Sequence, residues 1–399
     1  MAHKIDNLIK SAAKNSDIAP LMEKQTKAVK YIRKSNRANR ILKAKQVELH
    51  GRIPNPFDAY HGTLGWSVYP HNPLRPVIAG KTRWWSTKKQ NKRFVRLKPA
   101  LVPTSEELLD IDDIPIEKKL YFDFSAADWK VMEQIDDILE PFKAAIKELE
   151  GEKYPTLPMV TMHVFTLQEF IQNRLDSLNA NSEWSTRIRS FLRLLKTGID
   201  TIVAGVPEEA YIASLLDPRF LDTFIPVAQR EGWWRRLDEL IEERNIDQGD
   251  PIVPDPPEAG NPAPVPQPPR AGTRSQPTVA TPKLSYADLM SRKFSAKGIS
   301  QAEKTPYRNL TPVGRKLDPL KWWKLNETTY KAHSILARRY LAIPASSAPC
   351  ERVFSTAGRV IEKRRASLKP DTSKAIVFLH ENFHLLDELE HLEENLNYE

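Results

Sequence analysis

Ile343-Pro344-Ala345-Ser346-Ser347-Ala348-Pro349-Cys350-Glu351-Arg352-Val353-Phe354-Ser355-Thr356-Ala357-Gly358-Arg359 sets one acidic residue at a helix start, among small residues and ahead of an Arg. Pro349 suits the first helical turn, and the Glu351 carboxylate then faces the positive end of the helix dipole. Taken alone, the stretch reads as ordinary first-turn helix chemistry. Its neighbours change that reading. Asp318-Pro319-Leu320-Lys321-Trp322-Trp323-Lys324 precedes it. Lys363-Arg364-Arg365-Ala366-Ser367-Leu368-Lys369-Pro370-Asp371 follows it, and then Phe378-Leu379-His380-Glu381-Asn382.

In that order these motifs resemble the C-terminal region of hAT-superfamily transposases and their domesticated, BED-finger-type relatives. Weaker similarities run upstream. Ala2-His3 followed by Ile5, Leu8 and Ile9 resembles the end of the family's Cys-x-x-His segment, and Ile18-Ala19-Pro20-Leu21 with Gln46 the helix behind it. Thr82-Arg83-Trp84 followed by Ser86-Thr87 resembles its T-R-W-x-S-T segment. Leu139-Glu140-Pro141-Phe142, Glu152-Lys153-Tyr154-Pro155-Thr156-Leu157 and Leu216-Asp217-Pro218-Arg219-Phe220 look like landmarks of its helical insertion domain.

The resemblance implies an RNase H-like core in which two Asp and one Glu hold two divalent metals, with Glu351 at the position of the third carboxylate. Both Asp positions lie before the Cys-x-x-His segment, so they are expected upstream of residue 1. Two-metal strand transfer needs several carboxylates converging on ions roughly 3.5 to 4 Å apart. A lone Glu is also a weak magnesium ligand, because Mg2+ relies on one or two carboxylates plus substrate phosphates. Glu351 is therefore expected to be inactive alone. No metal site or cofactor is expected here, and magnesium would enter only if the missing N-terminal half were supplied. Asp217 and Asp318, each before a Pro, read as turn or helix-start residues and not as substitutes.

The 399 residues carry 40% hydrophobic side chains and nine Trp, enough for two or three domains with proper cores. One cysteine, Cys350, excludes an intramolecular disulfide and any Cys-pair zinc module; it reads as a small packed residue. No apolar run approaches the ~20 residues that span a bilayer, and the N-terminus lacks a signal pattern. A soluble intracellular protein with no membrane partner is expected, and the resemblance implies the nucleus.

The net charge of +9 is unevenly distributed. Residues 1–46 hold twelve Lys or Arg against three acids, and residues 81–98 hold eight basic residues and no acid. Basic runs attract phosphate by counterion release, which makes DNA a second partner class. Arg83, Trp84, Lys88, Lys89, Lys92 and Arg93 are the candidate DNA-binding residues, because Trp84, Trp85 and Phe94 interleave with the cations as stacking surfaces. The same pattern also describes an ordinary core with snorkelling Lys stems. By resemblance, Trp84 matches an insertion-domain Trp that lies close to the DNA end, whereas Trp85 replaces a residue that is usually polar.

The expected fold is mainly α: a helical insertion domain plus the C-terminal helices of an incomplete RNase H-like fold. Residues 1–46 form a basic helical remnant of that core, and residues 47–80 an irregular insertion, whose histidines lack metal-binding spacing. The insertion domain covers 81–247, a Pro-rich linker 248–283, and the dimerisation region 284–399. Ser125-x-x-Asp128 resembles a capping box ahead of Trp129, Met132, Ile135, Leu139, Phe142, Ile146 and Leu149, a helix closed by Gly151. Further helices are expected over 161–178, 184–202, 208–216 and 226–244, a final one from near Asp371, and one strand over 77–79. Nine prolines among residues 251–269 favour an extended spacer.

By resemblance, the last region mediates self-association into a homodimer or higher oligomer. Trp322, Trp323, Phe354, Phe378, Leu379 and Phe383 are its candidate anchors, since aromatics dominate interface energetics.

Overall fold

The computed structural model describes residues 1–49, 73–80, 84–178, 182–247, 285–287, 307–360 and 369–396. Fifteen α-helices and a 3-10 turn, with no strand, make up the regular structure among the described residues. The Pro-rich linker, the irregular histidine-bearing stretch at 50–72 and Arg83 lie outside them.

The organising element is α7, Ala126–Leu149, whose start was legible. Ser125 Oγ accepts the Asp128 N–H, and the Asp128 carboxylate accepts the Ser125 N–H, both at 3.1 Å. Val131, Met132, Ile135, Ile138, Leu139, Phe142 and Ala145 are all buried, a wider arc than one amphipathic face, so α7 is packed from several sides. Its neighbours are α1 (Ala2–Asn15), α4 (Trp84–Arg96), α8 (Met159–Asp176) and α9 (Glu183–Ala204). α1 also lies along α9, where Gly198 permits the approach: a Cβ there would sit 2.0 Å from Leu8 Cδ1.

The basic residues from 24 to 45 are divided between two helices. α2 (Ala19–Lys34) ends where Ser35 turns extended, and the Ser35 hydroxyl accepts the Ala38 N–H to begin α3 (Asn36–Leu49). α3 packs on α5 (Lys98–Leu109). The strand expected over 77–79 does not form. The backbone there is satisfied by side-chain amides: Ala79 N–H donates to Gln90 Oε1 at 2.9 Å and Leu74 N–H to Gln46 Oε1 at 2.8 Å. With no neighbouring strand to extend, those glutamines take the place of a ladder.

A short α6 (Ile116–Lys119) leads into α7; beyond α9 come α10 (Glu208–Leu215) and α11 (Val227–Asp247). The C-terminal region then docks on the end of α10. Tyr307, fully buried, donates its hydroxyl to Leu215 O at 2.9 Å, and the Trp323 indole N–H donates to Leu216 O at 2.8 Å. These are carbonyls that a helix C-terminus leaves without intrahelical partners. Trp323 belongs to α12 (Pro319–Asn326), capped by Asp318, whose Oδ1 accepts the Leu320 N–H. α13 (Lys331–Leu341) packs on α10 and α11, and the paired helices α14 (Ala348–Val360) and α15 (Pro370–Leu396) follow.

Candidate self-association surface

The six candidate anchors separate into two groups. Trp323 is 6% exposed, and Trp322 is half-buried and stacked on Tyr330 with centroids 6.0 Å apart. Both pack in an aromatic cluster around Tyr307 with Trp234, Tyr330 and His333. Phe354, Phe378, Leu379 and Phe383 are instead 75%, 66%, 54% and 62% exposed, all on α14 and α15. Phe378, Leu379 and Phe383 fall within six residues of one helix, and large apolar side chains so open and so close make a surface that water disfavours. The remainder of α15 explains its orientation: Ser373 is buried and Val377 and Glu381 are half-buried at four-residue intervals, so that edge faces the chain and the phenylalanines do not.

At the start of α14 the Glu351 carboxylate accepts the Ser347 hydroxyl at 2.8 Å, and Arg352 donates to Glu150 O, at the end of α7, at 2.7 Å. The Met1 amino group reaches Ala345 O at 2.5 Å and the Ala345 N–H meets Thr156 Oγ1 at 2.9 Å, which fixes the strap leading into α14. Glu351 lines a cleft of about 760 Å3 with His3, Asp6, Glu150, His380 and Glu381. These groups line the walls without converging: Asp6 is held by Lys10 at 2.6 Å, and no cluster of three His, Cys, Asp or Glu able to hold a metal ion occurs among the described residues. Cys350 is exposed and not packed, because this first turn of α14 stands away from the core.

The candidate DNA-binding residues are also divided. Lys88 is buried at 4% exposure, its ammonium 2.9 Å from Asp136 and 2.5 Å from Glu140, so its charge is already matched. Burial acts to raise Glu140, but Lys88 overcomes it and holds the carboxyl below its ordinary value. Phe94 is buried and stacked on Trp129, centroids 5.4 Å apart, and offers no face to a base. Trp85 packs half-buried against the core, Arg93 donates to Arg75 O at 3.0 Å, and Lys89 and Lys92 are exposed. Trp84 opens α4.

Asp217 is fully buried in a bidentate pair, with Arg219 Nε at 2.9 Å and Nη2 at 2.7 Å, and its Oδ1 also accepts the Arg219 N–H at 3.0 Å. Burial pushes this carboxyl upward while Arg219 opposes it. Its role is the turn chemistry read from the Pro that follows. A second polar network escaped the sequence reading altogether. His163 is buried between Tyr286 at 2.7 Å and Glu148 at 3.1 Å, and Arg315 lies 2.7 Å from the same Glu148. Burial lowers the His163 imidazole, with Glu148 only partly offsetting it. Four residues spread from 148 to 315 carry no local signal of such a contact. Tyr307, the centre of the aromatic cluster, likewise stands in no periodic pattern.

Residues 301–383, which hold α12 to α14 and the start of α15, match the hAT family C-terminal dimerisation region. The chain is distantly similar to zinc finger BED domain-containing proteins. It is 24% identical over 284 residues to zinc finger BED domain-containing protein 4 of Homo sapiens, covering 70% of this chain and 22% of that protein. Against RICESLEEPER 2 of Oryza sativa subsp. japonica it is 24% identical over 270 residues, 63% of this chain and 36% of the relative. Against DAYSLEEPER of Arabidopsis thaliana it is 36% identical over 72 residues, 18% of this chain and 10% of the relative. The chain thus spans only about a tenth to a third of the length of these relatives. No helix among the described residues is long and apolar enough to cross a membrane.

Proposed function

We propose that this transposase-related protein acts through self-association and without strand-transfer chemistry of its own. The observation supporting this is the exposure of Phe354, Phe378, Leu379 and Phe383 within the residues matching a dimerisation region. Fully covering each contributes roughly 1.5–3 kcal/mol. A two-fold pair doubles the set, which is enough to offset an association cost on the order of 4–15 kcal/mol. Trp322 and Trp323 serve instead in the cluster that docks α12 onto α10.

The non-catalytic part of the reading is supported by Glu351, which offers one carboxylate, already bonded to Ser347, where two-metal transfer uses several. Residues 1–46 as the helical remnant of an RNase H-like core, and a nuclear site of action, belong to the same reading. Non-specific DNA binding rests on the exposed Lys89 and Lys92, and salt-titrated binding to duplex DNA tests it. Flat, negligible affinity at low salt would remove that part.

A second reading, the C-terminal part of an active DDE-type hAT transposase working by two-metal strand transfer, is favoured by the cleft that Glu351 shares with Asp6, Glu150 and Glu381. Co-expression with a matching N-terminal half separates the two. Metal-dependent DNA-end cleavage that disappears in Glu351→Gln would establish the second reading; a self-associating protein with no cleavage supports the first.

A further inference from the structure

Among the described helices of the C-terminal region α15 is the longest, and its sequence carries a seven-residue pattern. The residues at its chain-facing edge are Ser373, Val377 and Glu381. At 100° per residue, Ala375, Phe378 and Asn382 follow one another at spacings of three and four on a neighbouring side; Ala375 and Phe378 are exposed, and Asn382, next to Glu381, is half-buried. The spacing continues in the sequence at positions 385, 389, 392 and 396, all of them leucine. From residue 387 to the helix end at Leu396, only those register positions are apolar; the others are Asp387, Glu388, Glu390, His391, Glu393, Glu394 and Asn395. In sequence this is the a/d register of three heptads, with Ala375, Asn382, Leu389 and Leu396 at a, and Phe378, Leu385 and Leu392 at d.

Resting on the self-association reading above, we infer that α15 pairs with α15 of a second copy as a parallel, in-register two-stranded coiled coil, with Asn382 as its register pin. A second copy is the fitting occupant because the seam is complementary to itself: a knobs face its partner's a, and d its d. It also begins inside the residues that match a dimerisation region and runs on beyond residue 383. Asn382 argues for parallel and two-stranded. An asparagine at one a position favours the arrangement in which it meets its own copy, and disfavours register slips and higher oligomers. In the single chain its amide donates to Phe378 O of its own helix at 2.8 Å, a bond it can exchange for one across the seam.

The test uses the full chain in a Cys350→Ser background, which leaves no other thiol. Leu392→Cys, and separately Leu385→Cys, are oxidised and run without reductant, with helicity and thermal midpoint checked against the parent. In a parallel pair each cysteine meets its copy, and a disulfide-linked dimer is expected from both. In an antiparallel pair residue 392 lies opposite the other end of the partner helix, and no link forms. Asn382→Leu is expected to raise the molar mass by light scattering from dimer to a higher or mixed order. A dimeric parent whose cysteine variants stay unlinked would overturn the parallel seam and leave self-association standing. An unchanged dimer in Asn382→Leu would overturn the register role. A parent that remains monomeric at every concentration would sink both readings together.

Discussion

Replacing Lys88 by Met decides whether the basic run at 81–98 is a nucleic-acid surface or part of the core. The Lys88 ammonium lies 2.9 Å from Asp136 Oδ1 and 2.5 Å from Glu140 Oε2, with Lys88 4% and Asp136 8% exposed. Lys88→Met therefore strands a buried carboxylate, for which breaking a buried pair costs about 3–5 kcal/mol. Glu140, 53% exposed, adds no more than about 1 kcal/mol, as surface pairs do. In the double variant Lys88→Met/Asp136→Leu the stranded charge is gone, and most of the loss is expected to return. Urea unfolding of the parent, both single variants and the double variant closes the cycle, with the exposed Lys89→Met as a control within about 0.5 kcal/mol of the parent. A Lys88→Met protein of parental stability that has lost affinity for duplex DNA would refute the reasoning and restore Lys88 as a phosphate contact.

Three further outcomes follow from the same geometry. His333 is held to about 4 by burial against an ordinary value of 6.5, so between those values the unfolded chain binds a proton that the folded chain does not. Its contribution is complete above pH 6.5 and is lost as pH falls toward 4, about 3 kcal/mol in all, and His333→Gln should flatten that part of a stability-versus-pH curve from chemical unfolding. Tyr307→Phe removes the hydroxyl bond to Leu215 O and should cost about 1–2 kcal/mol in the same assay, without changing molar mass. Ser125→Ala removes half of the α7 capping box and should lower the thermal midpoint through a loss of about 1 kcal/mol.

What the sequence disclosed depended on whether the signal was local. α7 was legible from Ser125 to Leu149 because a capping box and a three-and-four apolar repeat both lie within one helix. The helices near 161–178, 184–202, 208–216 and 226–244 were legible for the same reason, and they appear as Met159–Asp176, Glu183–Ala204, Glu208–Leu215 and Val227–Asp247. The break at Ser35 was hidden, because Lys and Arg run across it and no Gly or Pro marks it. Lys88 read as a free cation because its partners lie 48 and 52 residues away. Composition also could not sort the C-terminal aromatics. Trp323 and Phe378 sit in similar helical patterns, and only the docking of α12 on Leu216 buries the first while α15 leaves the second in water. The strand at 77–79 failed because a β-prone tripeptide with no neighbour to pair takes what donors its surroundings supply, here Gln90.

The central claim is that the exposed face of α14 and α15 is a self-association surface, and molar mass by light scattering across a concentration series tests it most directly. The full chain should rise above its 45.7 kDa monomer mass with concentration, whereas Phe354→Asp/Phe378→Asp, altering side chains already in solvent, should stay at 45.7 kDa with unchanged thermal stability. A parent chain fixed at 45.7 kDa throughout the series, or a double variant that associates as well as the parent, would contradict it.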